Sequence, residues 1–409
     1  MPEPGNCSST SDNGSRLCRY SSQIIVSTQS ADLRLATIEQ VWKTRGLAAI
    51  VLWPLSLLFR LIAGVRRNLY RFGIFKVWSA PVPVVVVGNL TVGGSGKTPL
   101  IITLAEKLFD VGIRPGIVCR GYRAKELSEP VIVTSASSTA LAGDEPVLIA
   151  GRTSCPVSVY PIRKLAIKKL LGAHKVDLVL LDDGLQHYAL DRDIEIVVVS
   201  EHVGFGNGFL LPAGPLREPL SRLRDVDYVV RSRISPGSKG CDLPALELPG
   251  FISDKKVFGY ELVLDELRRL DEQEVITANA PPCEIDQRLK TSMAANKQSN
   301  TDVPLTAMAG IANPERFFKT LTDLGLQVET VVKQDHHQFT VDDFQTGPES
   351  PVYILTEKDA VKCKTLKIDK SRVWYAKMTA VADRDLVDAL VERLAISPDK
   401  QSDGASHNH

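Results

Sequence analysis

The chain has 409 residues, of which 44% are apolar and 24% are charged. This is ordinary globular usage, and it excludes a wholly disordered or collagen-like chain. Lys and Arg total 49 against 48 Asp and Glu, so the net charge of +1 supplies no global positive field, and we expect no nucleic-acid partner. Seven scattered cysteines without a C-x-x-C pair argue against a disulfide framework or a zinc site.

The amino-terminal region divides into a polar leader and an apolar segment. Residues 1–35 are rich in Ser, Thr, Asn and Gly, and we predict a disordered or organelle-targeting leader there. The next segment, 36–80, contains an uncharged run from Gly46 to Phe59. These 14 residues are fewer than the about 20 that a spanning helix needs, and Pro54 is expected to kink them.

Arginines interleaved with apolar residues follow this run, a pattern typical of a helix that lies in a membrane interface. We therefore predict a membrane-associated helical segment over 36–80. The alternative is an amphipathic helix packed on its own domain.

From residue 81 the pattern becomes one of alternating strands and helices. The β-branched run VPVVVVGN is typical of a buried parallel strand, and a glycine-rich turn and the helical stretch TPLIITLAEKLF follow it. Further strands are predicted at Ile113–Arg120, Val157–Tyr160, Asp177–Leu181, Ile194–Ser200 and Tyr228–Arg231. The alternation predicts an α/β domain over 81–265, a parallel sheet with helices on both faces.

A second, smaller α/β domain is predicted over 304–398. Its strands are predicted at Leu305–Ala309, Val328–Lys333, Pro351–Leu355 and Val373–Ala376. The polar stretch 266–303 interrupts the pattern and is predicted to be a linker or insertion. Residues 399–409 are predicted to be a disordered tail.

The strongest motif is GNLTVGGSGKTP, between the first buried strand and the helix that follows. Glycines let backbone N–H groups turn toward an anion, and the helix adds the positive end of its dipole. In such a loop Lys97 reaches the β- and γ-phosphates of ATP, and Thr98 is a ligand of Mg²⁺. The residues expected around the nucleotide are Thr91, Val92, Gly93, Gly94, Ser95, Gly96, Lys97 and Thr98. The strict motif has glycine where Thr91 stands, so we predict a variant phosphate loop on a P-loop NTPase-type sheet.

The second motif is VDLVLLDDGLQH, in which two acidic residues close an apolar strand. The carboxyl end of that strand faces the phosphate loop in a parallel sheet, so Asp182 or Asp183 can hold Mg²⁺ directly or through water. The alternative is a capping pair at a turn. His187 follows just beyond and is either part of the site or a structural residue.

Three weaker clusters accompany these motifs. Asp144, in the sequence GDEP, is either a functional carboxylate or an N-cap. Arg217 and Glu218 end a Gly- and Pro-rich loop and are available to substrate or metal, unless the loop is a structural connection. His336 and His337 are adjacent and point in different directions on any regular element, so we expect one catalytic or orienting histidine rather than a metal-binding pair.

The order of the motifs resembles one known family. The segments GNLTVGGSGKTP, RGY, GDEP, DDGLQH, GNGFLLPAGPLREP, AGIANPERFF, DHHQF and LTEKDAVKC follow one another as in tetraacyldisaccharide 4′-kinase, the lipid A kinase, over about residues 50–395. The resemblance implies a membrane-associated P-loop enzyme with two α/β domains joined by a small β linker. It also implies ATP and Mg²⁺ as cofactors and an acylated disaccharide 1-phosphate lipid as the substrate, phosphorylated at its 4′-hydroxyl. We expect a monomer.

The same resemblance assigns roles to residues. Asp144 is implied as the general base at the sugar hydroxyl, and a histidine of DHHQF as its activator, taken here as His336 with His337 as the alternative. The residues implied at the Mg²⁺–ATP and transfer site are Asp182, Asp183, His187, Arg120 and, as a metal ligand, Glu218. We expect Asp144 and His336 to meet across an interdomain cleft only when substrate is bound.

The resemblance also concerns the membrane and the location. The family's amino-terminal hydrophobic helix corresponds to Gly46–Leu69, which strengthens the prediction of membrane contact. Residues 1–30 and 270–303 look like additions to the usual pattern and fit a nucleus-encoded organellar member. The expected location is the mitochondrial inner membrane, as a peripheral protein, with the chloroplast or the bacterial inner membrane as alternatives.

Two other classes of P-loop protein remain open from the residues alone. A regulatory GTPase needs an N/T-K-x-D motif, and in the nearest segment, TEKD, Lys358 is displaced by one position. A membrane-positioning ATPase of the partitioning type has a lysine just before the glycine pair, where this chain has Val92.

Overall fold

The computed structural model describes residues 38, 40–94, 96–121, 127–234, 248–252, 256–291, 303–345, 347 and 350–394. The predicted leader over 1–35, the predicted tail over 399–409 and Ser95 of the phosphate loop lie outside the described residues.

The amino-terminal half begins with a long helix, α1 (Leu47–Arg71), of 25 residues. It contains Pro54 and continues past Phe59, because arginines and apolar side chains alternate at helical spacing as far as Arg71. Its length and apolar composition suffice to cross a membrane, so the prediction that this segment is too short to span is wrong for the helix as a whole.

The remaining strands and helices of this half alternate only in part, and the short strand β3 was not predicted. They are β1 (Val84–Gly88), α2 (Lys97–Asp110), β2 (Pro115–Cys119), β3 (Val131–Val133), α3 (Thr139–Ala142), α4 (Asp144–Arg152), β4 (Val157–Val159), α5 (Arg163–Ala173), β5 (Leu178–Asp182), β6 (Ile194–Ser200) and β7 (Tyr228–Ile234). Short 3₁₀ helices follow at Leu220–Arg224, before β7, and at Gly250–Ile252, after it.

The carboxyl-terminal half starts with a long strand. Its elements are β8 (Lys256–Arg269), β9 (Val275–Thr277), α6 (Pro282–Thr291), β10 (Leu305–Ala309), α7 (Pro314–Asp323), β11 (Val328–Val332), β12 (Val352–Thr356), α8 (Glu357–Cys363), β13 (Val373–Ala382) and α9 (Arg384–Leu394). Two more 3₁₀ turns lie at Val341–Asp343 and Lys370–Arg372.

The described strands form one 13-stranded sheet that runs through both halves, in the order β11-β10-β12-β13-β8-β7-β6-β1-β5-β2-β4-β3, with β9 beside β8. Neighbours are parallel except for the pairs β13 with β8, β3 with β4, and β8 with β9. The parallel pairing of β7 with β8 joins the halves. The boundary between the two predicted domains stays a prediction.

Both faces of the sheet are covered. Successive side chains of β1 point to opposite faces. Val85 belongs to the same buried cluster as Leu100 of α2, whereas Val86 shares a cluster with Ile167 of α5. A strand buried on both faces needs the unbroken apolar sequence that β1 has, which is why that sequence predicted a central parallel strand. In register, Val87 of β1 pairs with Asp182 of β5, so the ends of these strands lie side by side.

One part of the carboxyl-terminal half differs from the prediction. The segment 266–303, predicted to be a linker or insertion, contains the end of β8, all of β9 and the helix α6, while 292–302 lies outside the described residues. In β8 the buried side chains Phe258, Tyr260, Leu262 and Leu264 alternate with more exposed ones. Alternation of this kind is typical of a strand that meets the core on one face, and it is easily missed in a charged sequence.

Candidate active site

A large cavity lies at the carboxyl edge of the sheet, between the two halves of the chain. Its volume is about 1190 Å³, and it is lined by residues of both halves. Lys97, Thr98, Asp182 and Asp183 contribute from the amino-terminal half, and His336 contributes from the carboxyl-terminal half. The topology thus brings the predicted phosphate loop and the predicted histidine to one cavity.

The phosphate loop connects β1 to α2 at the edge of this cavity. Gly93 and Gly96 have φ angles of 106° and 85°, which favour glycine. The hydroxyl of Tyr260 in β8 donates to the Gly96 carbonyl oxygen, and a Cβ atom on Gly96 would lie 2.0 Å from that hydroxyl. The backbone N–H of Val92 donates to the Pro215 carbonyl oxygen at 2.9 Å. The loop is therefore held on two sides by distant parts of the chain.

Lys97 lies in the first turn of α2 and interacts with Asp183. Its Nζ donates to Asn89 Oδ1 at 3.1 Å and lies 3.3 Å from Asp183 Oδ1. Arg217 Nη1 lies 3.0 Å from the other oxygen of that carboxylate. Burial alone would raise the pKa of Asp183, but Lys97 and Arg217 lower it to about 2. Asp183 is therefore ionised at neutral pH.

The pKa of Asp182, the neighbouring carboxylate, is shifted in the opposite direction. Burial raises the pKa of Asp182 to about 7, and the nearby charge of Glu145 contributes. Its Oδ1 atom is buried and has no hydrogen-bond partner among the described residues. A buried carboxylate oxygen without a donor is costly, and an oxygen ligand of this kind suits Mg²⁺.

The other predicted metal ligands support the same location. Thr98 and Glu218 line the cavity with the two aspartates. Glu218 is buried and accepts hydrogen bonds from Tyr188 and Gln186. In the described part of the chain, no cluster of three or more His, Cys, Asp and Glu side chains forms a metal cage by itself. Mg²⁺ usually keeps waters and phosphate oxygens in its coordination shell, so a partial set of protein ligands fits that ion.

Asp144 and His336 are in contact although 192 positions separate them in the chain. His336 Nδ1 lies 2.9 Å from Asp144 Oδ2. Asp144 begins α4, and His336 follows β11 with a left-handed φ of 62°, its backbone N–H donating to the Gly310 carbonyl oxygen at 3.0 Å. The expectation that the two meet only with substrate bound is not met, since they are already in contact here.

Asp144 is 5% exposed and is not one of the cavity-lining residues, whereas its neighbour Glu145 is. His337, the alternative to His336, is held within the carboxyl-terminal half. His337 Nε2 lies 3.1 Å from Asp343 Oδ2, away from the dyad. The geometry therefore favours His336 over His337 as the partner of Asp144.

The structure does not bring His187 into the cavity lining; Gln186 lies there instead. Burial lowers the pKa of His187 to about 4, and nearby arginines, foremost Arg163, contribute, so the imidazole is neutral at neutral pH. Gln186 donates to the Asn89 carbonyl oxygen at 3.2 Å and to Glu218 Oε2 at 3.3 Å. Gln186 thus links the phosphate loop to Glu218.

Sequence reasoning gave no role to two charged residues of the cavity, Glu145 and Lys358. Lys358 Nζ lies 3.1 Å from Glu145 Oε1 and 3.3 Å from His336 Nε2. The available signal was their position inside the motifs GDEP and TEKD, next to residues that were singled out. In the sequence, Lys358 resembles only a displaced guanine-reading lysine.

Comparisons with known proteins show the family to which this chain is similar. The family model described as Tetraacyldisaccharide-1-P 4′-kinase (LpxK) matches residues 48–395. Tetraacyldisaccharide 4′-kinase of Aeromonas salmonicida is 40% identical over 358 residues, which are 87% of this chain and 96% of the relative. The protein of the same name from Aromatoleum aromaticum is 44% identical over 354 residues, 86% of this chain and 96% of the relative.

The chain belongs to the tetraacyldisaccharide-1-phosphate 4′-kinase family.

A solved structure extends the likeness to the fold. The "apo" form of LpxK from Aquifex aeolicus, in complex with ATP, is 28% identical, has a TM-score of 0.66 and covers 85% of this chain and 99% of its own. The predicted P-loop kinase fold is therefore confirmed. Family membership sets aside the regulatory GTPase and the membrane-positioning ATPase, the two other classes that the phosphate loop left open.

Proposed function

We propose that this protein transfers the γ-phosphoryl group of ATP to the 4′-hydroxyl of a tetraacyldisaccharide 1-phosphate at a membrane surface. The observation that carries the proposal is one cavity lined by the phosphate loop of the amino-terminal half and by His336 of the carboxyl-terminal half, which contacts the buried Asp144. Phosphoryl transfer depends mainly on positioning and on neutralising charge, and this cavity offers cationic and acidic groups for both.

Lys97, at the start of α2, is placed to contact the β- and γ-phosphates, which would replace its present partners Asn89 and Asp183. Thr98, Asp182, Asp183 and Glu218 would hold Mg²⁺. Oδ1 of Asp182, which has no hydrogen-bond partner within the described part of the chain, supports this. The ion, when bound, supplies positive charge at the phosphate oxygens. His187 belongs to the same turn as the aspartates, and we retain it in the site as a neutral group.

Asp144 is proposed as the base that accepts the proton of the sugar hydroxyl. A sugar hydroxyl is a weak acid, so a carboxylate in line with the γ-phosphate assists its attack. His336 occupies Oδ2 of Asp144, which leaves Oδ1 for the substrate. Because Asp144 is 5% exposed, substrate binding must open a path past Glu145 or His336. Distances in a ligand-free site commonly change in this way.

Arginines give the cavity a place for the substrate's own phosphate. Arg66 of α1 and Arg120, after β2, both line it. These two are, with Arg163, among the charges that lower the pKa of His187, which places all three near the DDGLQH turn. An arginine guanidinium suits a phosphate group because of its planar set of donors.

Helix α1 is proposed to lie along the membrane surface. Ala49 is buried near its start, Ser56 Oγ donates to the Leu210 carbonyl oxygen at 2.8 Å, and Arg67 Nη2 lies 2.6 Å from Asp225. Contacts spread over 18 residues mean that about 27 Å of helix runs along the folded domain. A helix held in this way along its length presents its exposed apolar side to lipid without crossing the bilayer.

The relatives described above are bacterial, which favours the bacterial inner membrane among the three locations considered. They give no support to a mitochondrial or chloroplast location. The monomeric state stays a prediction.

The variant Lys97→Ala tests the proposed role of the phosphate loop. Turnover of a tetraacyldisaccharide 1-phosphate with Mg²⁺ and ATP should fall by roughly two decades, as expected for the loss of a major electrostatic group. The melting temperature should change little, because this lysine lies outside the apolar core. Unchanged turnover would contradict the proposed function.

A further inference from the structure

Lys358 lies where the two halves of the chain meet at the Asp144–His336 pair. It is the second residue of α8, and its side chain is 19% exposed. Its Nζ is 3.1 Å from Glu145 Oε1, 3.3 Å from His336 Nε2 and 4.0 Å from Asp335 Oδ1. One ammonium group therefore contacts an acidic residue of α4 and the outer nitrogen of the histidine that touches Asp144.

The protonation of the imidazole follows from these contacts. An ammonium group has three donors and no lone pair, so His336 Nε2 must accept. The imidazole proton then lies on Nδ1, 2.9 Å from Asp144 Oδ2. Asp335 Oδ1 also lies near Nε2, at 3.9 Å, but the ammonium group of Lys358 is closer and requires an unprotonated Nε2. Burial opposes the charge of Lys358, yet Glu145, Asp335 and Asp144 raise its pKa, so it stays charged at neutral pH.

We propose that Lys358 is a positioning residue for phosphoryl transfer: its ammonium group fixes His336 as the neutral tautomer with the proton on Nδ1, directed at Asp144. This inference rests on the proposed function. Without the ammonium group, His336 has two other states. The opposite tautomer would turn a lone pair toward the carboxylate, and a charged imidazolium would make Asp144 a weaker base. Both states slow proton removal from the sugar.

Helix α8 fixes the backbone of His336 as well. Asp359, fully buried in its first turn, accepts a hydrogen bond from the Gly310 backbone N–H at 2.9 Å through Oδ2. The Gly310 carbonyl oxygen accepts from the His336 backbone N–H. In the next turn Lys362 Nζ lies 3.9 Å from Asp144 Oδ2. The same helix thus positions the histidine ring, its backbone and the carboxylate.

Kinetics of Lys358→Met provide the first test. Its kcat should fall by about 10- to 100-fold, at or below the low end of the roughly 10²–10⁴-fold that general acid–base catalysis contributes, because Lys358 acts indirectly; the KM for ATP should stay within about twofold. In a His336→Ala background the same change should cost less than about threefold, because Lys358 acts through the imidazole. An equal loss in both backgrounds would overturn the proposal, and so would a change in KM with kcat preserved.

Two further variants control for charge and folding. Lys358→Arg keeps a cation and donors and should retain at least about threefold more kcat than Lys358→Met. Lys364→Met removes an ammonium group that pairs with Glu272 at 2.7 Å in an exposed setting, and it should leave kcat unchanged. Equal losses in Lys358→Arg and Lys358→Met would contradict the proposed role of the cation.

Nitrogen-15 NMR of the full chain tests the tautomer without any turnover. The protein has seven histidines, and His336→Gln identifies the signal of interest. We expect a protonated Nδ1 and an unprotonated Nε2 in the wild-type protein, and a changed pattern in Lys358→Met. An identical pattern in the two proteins would overturn the inference. If the tautomer is as expected but no lipid is phosphorylated, the proposed function fails and the tautomer assignment stands.

Discussion

At the scale of single residues, burial and neighbouring charges shift the pKa values of two adjacent carboxylates in opposite directions. Asp183 is held ionised by Lys97 and Arg217, whereas burial raises the pKa of Asp182 to about 7. The sequence places both aspartates at a strand end, but it does not show that Arg217, from a loop 34 positions away, pairs with Asp183. The position of the two aspartates in the sequence therefore predicts a site. Only the fold shows that the pKa of one carboxylate is lowered and that of the other raised.

The lowered pKa of His187 predicts how the stability of the protein depends on pH. Its pKa is lowered from 6.5 to about 4 in the folded state, so the unfolded chain takes up a proton first as the pH falls. Stability is therefore lost as the pH falls from above 6.5 toward 4. Urea denaturation at pH 7 and pH 5 gives the loss in the free energy of unfolding between the two pH values. This loss should be about 1 kcal/mol smaller in His187→Gln than in the wild type, a value already reduced for solvent screening. Equal losses would contradict the assigned protonation state.

Asp144 and His336 should act as one unit. Each change to alanine should lower kcat strongly with little effect on ATP binding, and the double variant should lose little more than the worse single variant. The contact of 2.9 Å between Nδ1 and Oδ2 is the reason for expecting this coupling. A double-mutant cycle on kcat is the measurement. Fully additive losses would mean that the residues work independently.

At the scale of elements, helix α1, which we propose to lie on the membrane surface, is connected to the site. Ser56 accepts from the Ala213 backbone N–H at 3.0 Å, and the same loop continues to Pro215, whose carbonyl oxygen accepts from Val92 of the phosphate loop. Arg217 then reaches Asp183. Hydrogen bonds and the backbone of this loop therefore connect the helix to the phosphate loop. The sequence predicted a Gly- and Pro-rich loop with Arg217 and Glu218 available to substrate or metal, but not these contacts.

The exposed side of α1 should carry the membrane affinity. Leu55, Leu58 and Leu61 are 54%, 54% and 63% exposed. Changing all three to serine should move the protein from the membrane fraction to the soluble fraction, because each buried leucine contributes about 1.5–3 kcal/mol. High salt should release part of the wild-type protein by screening the arginines.

The matched control replaces the same three leucines with methionine, which keeps the apolar surface. It should remain membrane-bound, and ATP affinity should be unchanged in both variants, since none of these leucines lines the cavity. A triple serine variant that stays in the membrane fraction would refute the proposed role of this face.

Strands were predicted best where both of their faces are buried. The predicted bounds of β6 and β10 match those in the structure, and both strands are buried throughout. By contrast, β8 was missed and β13 was predicted only over its first four residues. The last part of β13 pairs with β8, so its extent depends on a strand more than 100 positions away in which buried and more exposed side chains alternate. Local sequence cannot supply that information.

At the scale of the whole molecule, one sheet and a set of charge contacts hold the two halves together around the cavity. Arg152 of α4 donates to both oxygens of Glu357 in α8, at 2.9 and 2.7 Å, beside the pair of Lys358 with Glu145. These contacts explain why Asp144 and His336 already meet. The motifs indicated which residues belong to the site, whereas the pairing of the halves follows from the fold alone.

The most direct test of the central claim measures transfer of the γ-phosphoryl group itself. Purified protein is incubated with Mg²⁺, γ-labelled ATP and a tetraacyldisaccharide 1-phosphate in mixed micelles, and the lipid product is analysed for label and mass. A 4′-deoxy analogue of the lipid is the matched control. We predict label in the natural lipid, a mass increase of one phosphate, and no label in the analogue. Label in both lipids, or in neither while ATP is bound, would contradict the assignment of a 4′-kinase.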